Sequence, residues 1–360
     1  MLDSLQFEAL RRLGLNQSIL PLLPALSDQH PAAALVRVTE IHRDVLRLEG
    51  ADGAMQGRIR PALLSAMRAH GQRLAVGDWV LAQPEGDSAW VCARIPPLSA
   101  LSRRDPEGWL QPLVSNIDCA LLLLGLDKDF NLARLDRYLV LTRSADVPAV
   151  VVLSKADLCA NLPDRLAEVR RHLAHSHAGL LDVVAVDSTS AESCSVLEPY
   201  MGLGQTLVLL GSSGAGKSTL TNTLSGQSEQ LTGSVRLDDS RGRHTTTSRS
   251  LHRCTSGACI IDTPGLRSLT LDADANAVAQ AFDDVQNLAQ ACRFRNCSHG
   301  DEPGCAVREG ISAERLKSYE KLQREAQRGE MSYLERRERL AEWKRIVKGV
   351  QLKQRLRGRD

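Results

Sequence analysis

Eight consecutive residues, GSSGAGKS at positions 211–218, carry the clearest chemical signal in this chain. They fit the pattern G-x-x-x-x-G-K-[S/T] in full, after an apolar strand-like run and before a helical one. Glycines allow successive backbone N–H groups to form a nest for phosphate at the start of a helix. The lysine then reaches the β- and γ-phosphates, and the serine hydroxyl binds Mg²⁺. The residues predicted to bind a nucleoside triphosphate are Gly211, Ser212, Ser213, Gly214, Ala215, Gly216, Lys217, Ser218 and Thr219, with Lys217 also acting in catalysis and Ser218 binding Mg²⁺.

This pattern does not distinguish ATP from GTP, and an ABC-type ATPase has a similar loop. The run LSGQ at positions 224–227 also resembles the signature of that class. It lies one helix after the loop, whereas the ABC signature belongs to a separate helical subdomain. We therefore exclude an ABC-type ATPase.

A short segment, SKAD at positions 154–157, follows the apolar run AVVVL and predicts guanine as the base. In GTPases the aspartate of an [N/T/S]-K-x-D segment accepts hydrogen bonds from the ring N–H and the exocyclic amine, a pair that adenine lacks. The lysine stem packs over the base. Ser154, Lys155 and Asp157 are thus the predicted base-reading residues. A strand-end aspartate is also common as a helix cap, and Ser154 stands where asparagine is usual, so guanine selectivity depends mainly on Asp157.

Two later segments resemble the switches of GTPases. DTPG at positions 262–265 follows the apolar run ACII. Its Asp262 would hold the magnesium shell, and the N–H of Gly265 would contact the γ-phosphate, so both join the predicted GTP-binding set. The polar run RGRHTTT at 241–247 falls where a first switch is needed. There we predict that Thr246 binds Mg²⁺ and acts in catalysis; an ordinary flexible loop is the alternative.

The order of these segments along the chain is unusual. The base-reading segment comes first, and the phosphate-binding loop, the first switch and the second switch follow it. Ordinary small GTPases place the base-reading segment last. Because ligands of α/β domains sit at the carboxyl ends of the strands, a circular permutation that keeps the strands preserves the site. The second switch then leads directly into the C-terminal region, and we expect the nucleotide state to be transmitted beyond Leu271.

Three cysteines and a histidine crowd into fourteen residues further along the chain. Cys292, Cys297, His299 and Cys305 offer three thiolates and one imidazole, a set that suits tetrahedral Zn²⁺ and leaves no open position. We therefore predict one structural zinc ion. The spacing differs from that of common zinc fingers, so reactive or merely reduced cysteines are the alternative.

The elements that must position these residues divide the chain into five parts. Residues 1–33 predict an N-terminal helical arm. Short alternating runs punctuated by glycine at 34–98 predict a β-barrel, with an OB-fold the commonest nucleic-acid-binding version; a barrel without RNA affinity fits the same pattern. Continuous apolar runs at 105–272 predict parallel strands covered by helices on both faces, which is an α/β P-loop GTPase domain. Residues 273–330 predict an α-helical zinc-binding domain, and residues 331–360 a basic helical tail.

Composition narrows the function classes. No apolar run approaches the ~20 residues that span a bilayer, and none has signal-peptide flanks, so no membrane partner is expected. Nine cysteines without a secretion signal favour reduced thiols and a cytoplasmic protein. The net charge is only +2, but the tail at 331–360 carries ten Lys/Arg against four Asp/Glu. This excess favours a polyanionic partner such as nucleic acid, with a solvated charged helix as the alternative.

Together these motifs resemble the small-ribosomal-subunit-dependent GTPase A family (RsgA, also called YjeQ or YloQ) over nearly the whole chain. The resemblance includes VGDWV at 76–80, NID at 116–118, GSSGAGKSTL at 211–220 and GRHTTT at 242–247. It continues through DTPG and the run CRFRNCSHGDEPGCAV at 292–307. The sequence departs from the family pattern at Ser154 and in its fifth segment, DSTS at 187–190.

The resemblance implies an N-terminal OB-fold, a circularly permuted GTPase domain and a C-terminal zinc domain that dock on ribosomal RNA of the small subunit. It implies a monomer that binds GTP and GDP and hydrolyses GTP to GDP and phosphate as a late checkpoint in subunit maturation, with stimulation by the subunit. The family lacks the glutamine that positions water in Ras-like enzymes, and Leu266 agrees with this. His244 matches the first-switch histidine that has been suggested to orient the water.

Two other functions fit parts of the sequence. A non-enzymatic RNA-binding module would keep a nucleotide site without turnover, and the intact Lys217, Ser218 and Asp262 argue against it. A metabolic P-loop kinase would need an acceptor-binding region, and none is evident in the sequence.

Overall fold

The computed structural model describes residues 4–43, 45–86, 88–104, 110–174, 181–226, 249–263 and 275–330. Four features singled out from the sequence lie outside these ranges, namely His244, Thr246, Gly265 and the tail at 331–360. Of the helices within the described ranges, none is long and apolar enough to cross a membrane.

The N-terminal arm packs against the barrel that follows it. It consists of α1 (Ser4–Arg11), a 3₁₀ helix (Gln17–Leu22) and α2 (Pro24–Ser27). Asn16 caps the 3₁₀ helix, because its side chain accepts a hydrogen bond from the backbone N–H of Ser18 at 2.8 Å. The arm shares one hydrophobic cluster with the barrel, and its buried members include Leu10, Leu13, Leu15, Ile19, Trp79, Leu81 and Ile95.

A closed five-stranded barrel comes next. Its strands are β1 (Ala34–His42), β2 (Val45–Gly50), β3 (Gly53–Ile59), β4 (Trp79–Glu85) and β5 (Ser88–Arg94), with α3 (Pro61–Ala69) between β3 and β4. They pair in the order β1-β2-β3-β5-β4, and β4 returns to β1. Along β2, Leu46 and Leu48 are buried while Arg47 is exposed, as the two-residue period of a strand requires. The predicted barrel is confirmed, and its strand order is that of an OB-fold.

A hairpin connects the barrel to the α/β domain. The hairpin consists of β6 (Ala100–Arg104) and β7 (Leu110–Ser115). The α/β strands are β8 (Cys119–Gly125), β9 (Ala149–Ser154), β10 (Val183–Val186), β11 (Thr206–Gly211), β12 (Ser250–Arg253) and β13 (Cys259–Asp262). Their order is β10-β9-β8-β11-β13-β12, and only β12 pairs antiparallel to its neighbour in this domain.

Helices cover both faces of this sheet. Leu122 and Leu124 belong to one core cluster and Leu121 and Leu123 to another, so successive residues of β8 point to opposite faces, both of them packed. Every residue of β8 and β11 is buried, which explains their continuous apolar sequences. The helices of this domain are α4 (Leu132–Ser144), α5 (Leu162–Ala174), α6 (Ala191–Cys194) and α7 (Lys217–Ser225), with 3₁₀ helices at Ala156–Leu158 and Ser195–Tyr200.

One edge strand joins the barrel to the α/β sheet. Ser250 in β12 is paired with Asp262 of β13 on one side and with Glu40 of β1 on the other. The barrel and the α/β strands consequently form one hydrogen-bonded sheet of 11 strands.

The C-terminal helices pack on α4. They are α8 (Ala275–Ala281), α9 (Asp283–Ala289), α10 (Ala306–Gly310) and α11 (Ala313–Glu330). The buried Arg315 of α11 donates to Asp284 Oδ2 at 2.8 Å and to Asp136 Oδ1 of α4 at 2.7 Å. Its guanidinium also lies over the Phe282 ring, 4.3 Å from the centroid. The predicted α-helical C-terminal region is confirmed, and a buried ion-pair network attaches it to the α/β domain.

A second buried guanidinium, that of Arg37 in β1, lies where the arm, the barrel and the α/β domain meet. It is 0% exposed and donates to the Leu13 and Gly77 carbonyls, to the Asn116 carbonyl at 3.0 Å and to Thr206 Oγ1 at 2.8 Å. These acceptors come from the arm, the barrel, the connector and β11. Arg37 therefore requires all four segments to be in place.

A substitution at Gly14 tests the role of Arg37, because Gly14 has a φ of +86° and packs directly on the Arg37 guanidinium. A Cβ there would lie 2.0 Å from Arg37 Nη1 and 2.5 Å from Thr206 Oγ1. We expect Gly14→Ala to destabilise the protein by about 3 kcal/mol, as measured by urea denaturation.

The matched control is Gly86→Ala, because Gly86 has a φ of +60° and nothing within 4 Å of its would-be Cβ. Alanine at that position introduces only backbone strain, so the free energy of unfolding should fall by about 1 kcal/mol. Equal losses in the two variants would contradict the packing role assigned to Gly14.

Candidate nucleotide and metal sites

The phosphate-binding loop lies between β11 and α7, at the carboxyl end of a central strand. Gly214 and Gly216 have φ values of +90° and +84°, a conformation that costs other residues about 1 kcal/mol or more. Helix α7 begins directly afterwards, at Lys217. Of the other predicted phosphate-binding residues, Gly211, Ser212 and Ala215 are buried and Ser213, Ser218 and Thr219 are exposed.

The lysine of the loop folds back over the loop itself. Lys217 Nζ donates to the carbonyls of Gly211 at 3.1 Å and Ser212 at 2.8 Å. Burial lowers the pKa of Lys217, while the carboxylates of Asp262 and Asp129 act in the opposite direction. The ammonium is therefore held inside the loop, where phosphate oxygens would be better acceptors than two neutral carbonyls.

The loop also contacts the second-switch segment. Ser218 Oγ donates to Asp262 Oδ2 at 2.9 Å. Asp262 Oδ1 is buried without a hydrogen-bond partner among the described residues. Burial raises the pKa of Asp262, opposed mainly by the bond from Ser218 and by Lys217. A serine hydroxyl beside an unpartnered carboxylate oxygen suits Mg²⁺, which prefers oxygen ligands.

The first of the predicted base-reading residues contacts the phosphate-binding loop. Ser154 ends β9, is 0% exposed, and donates through Oγ to the Ala215 carbonyl at 2.7 Å. This bond connects the segment that follows β9 to the loop that follows β11. The serine hydroxyl thus positions the loop, at a place where the sequence suggested a contact with the base.

The next residues face solvent. Lys155 has a left-handed conformation, with a φ of +61°, and its Nζ donates to Asp127 Oδ2 at 2.5 Å. This bond lowers the pKa of Asp127. Asp157 lies exposed in the 3₁₀ turn after Lys155, with its carboxylate open to a ligand. Sequence analysis missed Asp127, although its place after the apolar strand β8 could have indicated it.

The fifth segment lies beside the same loop. Ser188 is 5% exposed, and its Oγ has no hydrogen-bond partner among the described residues. A Cβ built on Gly216 would lie 3.4 Å from Ser188 Oγ and 3.9 Å from Ser154 Oγ. The structure therefore brings the base-reading strand, the fifth segment and the phosphate-binding loop together at one sheet edge.

One histidine near the predicted magnesium ligand Asp262 was also missed. His252 lies in β12, and its Nε2 is 2.8 Å from Ser250 Oγ. Burial lowers the pKa of His252, while Asp262 and Glu40 act in the opposite direction. The alternating polar residues on either side of the buried Leu251 are the sequence signal that could have found it.

The four predicted metal ligands converge. The ligand atoms of Cys292, Cys297, His299 and Cys305 all lie within 4.8 Å of one another. His299 Nδ1 is 3.7 Å from Cys292 Sγ and 3.6 Å from Cys305 Sγ. Donor atoms around a tetrahedral zinc ion, at about 2.0–2.3 Å from the metal, are about 3.5–3.8 Å apart. The donor set and its spacing therefore fit one metal ion.

Local electrostatics act in opposite directions on two thiols of this cluster. The backbone N–H groups of Val307 and Ala306 lower the pKa of Cys292, which promotes the thiolate form that binds metals. A bond from the His299 backbone lowers the pKa of Cys297, but desolvation and the neighbouring thiols outweigh that bond and raise this pKa to about 11. His299 adopts a φ of +62°, which is uncommon for a residue other than glycine, and its Nδ1 lies beside the sulfur of Cys305. These constraints position the ligands before any ion binds.

Comparison with known proteins assigns the chain to a family. The sequence model of the family described as "RsgA GTPase" matches residues 95–272. A small ribosomal subunit biogenesis GTPase RsgA of Xylella fastidiosa (strain 9a5c) is 46% identical over 261 residues, which are 71% of this chain and 74% of the relative. A small ribosomal subunit biogenesis GTPase RsgA 2 of Vibrio vulnificus (strain CMCP6) is 39% identical over 303 residues, 82% of this chain and 83% of the relative.

Solved structures share the fold. YloQ, described as a circularly permuted GTPase, aligns with a TM-score of 0.54 and 23% identity over 84% of this chain and 97% of its own. YjeQ from Thermotoga maritima aligns with a TM-score of 0.53 and 23% identity over 82% of this chain and 98% of its own. The predicted permuted order of the GTPase core is thereby confirmed.

The contact from Ser154 to the phosphate-binding loop generates a prediction. Ser154→Ala leaves the buried Ala215 carbonyl without its donor, and we expect a loss of about 2 kcal/mol in the free energy of unfolding. GDP should bind more weakly as well, because the loop is less fixed. Urea denaturation and GDP titration measure the two effects.

Ser144→Ala is the control, since the Ser144 hydroxyl only bonds to the Val140 carbonyl within α4, at 2.9 Å. Alanine is a better helix former, so this variant should stay within about 0.5 kcal/mol of the wild type. A Ser154→Ala protein with unchanged stability and unchanged GDP affinity would refute the assigned role.

Proposed function

The chain belongs to the RsgA GTPase family, and we propose that it binds GTP at the phosphate-binding loop, hydrolyses it to GDP and phosphate, and serves as a late maturation checkpoint of the small ribosomal subunit. The observation that carries this proposal is the contact between Ser218 and Asp262, with the second carboxylate oxygen of Asp262 buried and unpartnered. That arrangement is suited to a magnesium-bound triphosphate, and the base-reading strand β9 ends beside it.

The phosphate and magnesium roles follow from these contacts. Lys217 would exchange its two loop carbonyls for β- and γ-phosphate oxygens, and Ser218 and Asp262 would hold Mg²⁺ directly or through water. When bound, Mg²⁺ neutralises charge that develops on the phosphates. The backbone N–H groups of residues 212–219 would hold the phosphates by their orientation, with the start of α7 adding its dipole.

Guanine would lie over Lys155 and against Asp157. The exposed Asp157 carboxylate can accept two hydrogen bonds from the guanine edge, whereas adenine supplies no matching pair. Asp127 supports this role, because its bond to Nζ fixes the Lys155 side chain. Ser154 acts through the loop, so its hydroxyl supports the phosphates rather than the base.

Three residues outside the described ranges complete the proposed site. We assign Thr246 to Mg²⁺ and Gly265 to the γ-phosphate, from their places in the two switch segments. His244 is assigned to orienting the attacking water. It is the matching first-switch histidine, and Leu266 offers no amide for that task.

The finer assignments of partner and metal belong to the same proposal. The cysteine and histidine cluster would hold one structural zinc ion, because four protein ligands leave no open position. The protein would act as a cytoplasmic monomer that docks on the RNA of the small subunit. The names of the relatives, small ribosomal subunit biogenesis GTPases, support the subunit as the partner.

Nucleotide turnover tests the function. We expect the purified full chain to hydrolyse GTP and not ATP, and purified small subunits to raise the GTP rate. Lys217→Ala should lower turnover by about 100-fold, because it removes a charge that stabilises the transition state. Equal turnover of ATP and GTP without any response to subunits would overturn the proposal.

Two variants resolve the roles within that assay. Asp157→Asn should reduce GTP affinity by about 100-fold. It should also confer binding of xanthosine triphosphate, because the edge of the xanthine ring is complementary to the asparagine amide. His244→Ala should slow stimulated hydrolysis by about 100-fold while GDP affinity stays unchanged. A His244→Ala protein with wild-type turnover would exclude this histidine from the chemistry.

Metal analysis tests the zinc assignment. The protein, purified without chelators, should contain about one zinc per chain, and Cys297→Ser should lose most of it and unfold at lower temperature. Cys159→Ser is the control, because this cysteine lies outside the cluster. Zinc content unchanged by Cys297→Ser, or absent from the wild type, would contradict the assignment.

A further inference from the structure

A cleft of about 590 Å³ lies between the barrel and the β6–β7 hairpin, and its lining shares no residue with the proposed nucleotide site. The end of β1, the segment before β4, the strand β7 and the start of β12 contribute to its walls. The bridge between Val76 and Val114 joins the barrel to the hairpin there. The lining residues that matter below are Arg43, Arg73, Val76, Gln111 and Arg249.

Three arginines line this cleft, and none of them has a counter-ion among the described residues. Arg43, Arg73 and Arg249 line it, and the described lining contains no aspartate or glutamate. None of the three has a carboxylate within ion-pair distance in the described part of the chain. The nearby Glu40 is engaged elsewhere, with His42 at 2.7 Å and Arg47 at 3.4 Å. The cleft therefore concentrates positive charge between low-dielectric walls, and such a field attracts anions.

Arg249 is the least exposed of the three arginines. It is half-buried, and its Nε has no hydrogen-bond partner among the described residues. Burial lowers the pKa of Arg249, and the neighbouring Arg103 lowers it further. Arg103 itself donates to Gln111 Oε1 at 2.8 Å, so that amide is occupied. A buried cationic donor with no acceptor is costly, and an anion in the cleft would relieve that cost.

We propose that this cleft binds a phosphate group of an RNA backbone. Guanidinium donors match the geometry of phosphate oxygens, and the volume exceeds what one phosphate requires. Arg43 and Arg73 are exposed beside the half-buried Arg249, so an extended phosphodiester chain can contact all three, whereas a free phosphate would contact fewer. The choice of RNA rests on the proposed function in ribosome maturation.

The position of Arg249 in the chain connects a phosphate contact in the cleft to the proposed nucleotide site. Arg249 directly precedes Ser250, which is paired with both Glu40 of the barrel and Asp262 of β13. It also directly follows the segment that contains the predicted first switch. A phosphate held in the cleft therefore bonds to the chain one residue before the strand that borders the magnesium ligand Asp262.

Fluorescence anisotropy of a labelled short oligouridine tests the site on the full chain, with saturating GDP and Mg²⁺ to keep phosphate out of the nucleotide site. Arg249→Gln should weaken binding by about tenfold. Arg73→Gln should weaken binding too and lower the slope of log affinity against log salt by about 1. Arg58→Gln is the matched control, because Arg58 is exposed on β3 outside the cleft, and it should change affinity less than twofold.

A competition arm separates the two sources of phosphate. Inorganic phosphate is compared with chloride at equal ionic strength. If phosphate displaces the RNA more strongly than chloride does, and this difference disappears in Arg249→Gln, the site also accepts free phosphate. If phosphate and chloride compete equally, the site requires the phosphodiester backbone of RNA. Either result, with the variant effects above, supports a phosphate site.

Two outcomes overturn the inference. One is that Arg249→Gln and Arg73→Gln bind RNA as the wild type does, and the other is that all three variants lose affinity equally. Arg73 is exposed, so its variant remains informative even if Arg249→Gln folds poorly. GDP affinity measured on the same preparations tests the proposed function separately. A wild-type protein that does not bind GDP would refute that function without bearing on the cleft.

Discussion

The architecture depends on a fully buried cation that has only neutral acceptors. Arg37 is 0% exposed and donates to three carbonyls and one hydroxyl from four separate segments. Burial lowers the pKa of Arg37, with partial compensation from the carboxylates of Asp118 and Asp78. Because an unpaired buried donor costs about 1–3 kcal/mol, loss of any one of these acceptors should destabilise the fold by a similar amount. The acceptor Thr206 opens β11, the strand that ends in the phosphate-binding loop, so the barrel fixes that strand from its opposite end.

A second buried guanidinium fixes the other side of the domain. Arg315 connects α11 to Asp284 in α9 and to Asp136 in α4, and α4 follows β8 of the central sheet. Both attachments bear on the proposed nucleotide site because of the strand order. In the permuted α/β domain β8 and β9 come first and β13 comes last. In the sheet, β13, which carries Asp262, lies next to β12, and β12 pairs with the barrel. The proposed nucleotide site thus lies in a domain to which the barrel and the C-terminal helices are each attached through a buried arginine.

Sequence reasoning is strongest where the residues of a predicted site are contiguous in the chain. The loop at 211–218 and the cysteine cluster each lie within one short segment, so their spacing alone defines the donor set. Buried strands were predictable from their apolar runs, because each side chain of β8 meets a packed face. Contacts between distant residues leave no local pattern. Arg37 and Thr206 are 169 residues apart, Arg315 and Asp136 are 179, and Lys155 and Asp127 are 28. An arginine bound for the core looks the same in sequence as one bound for solvent.

Ser154 shows how such a contact changes an interpretation. From sequence, a serine in place of the usual asparagine weakened the case for guanine. In the structure its hydroxyl donates to the Ala215 carbonyl, 61 residues away, and it is closed to solvent. A short side chain suffices for that bond, because the ends of β9 and β11 are separated only by β8. The substitution therefore bears on how firmly the phosphate-binding loop is held, while the proposed contact of the exposed Asp157 with the base is not affected by this departure.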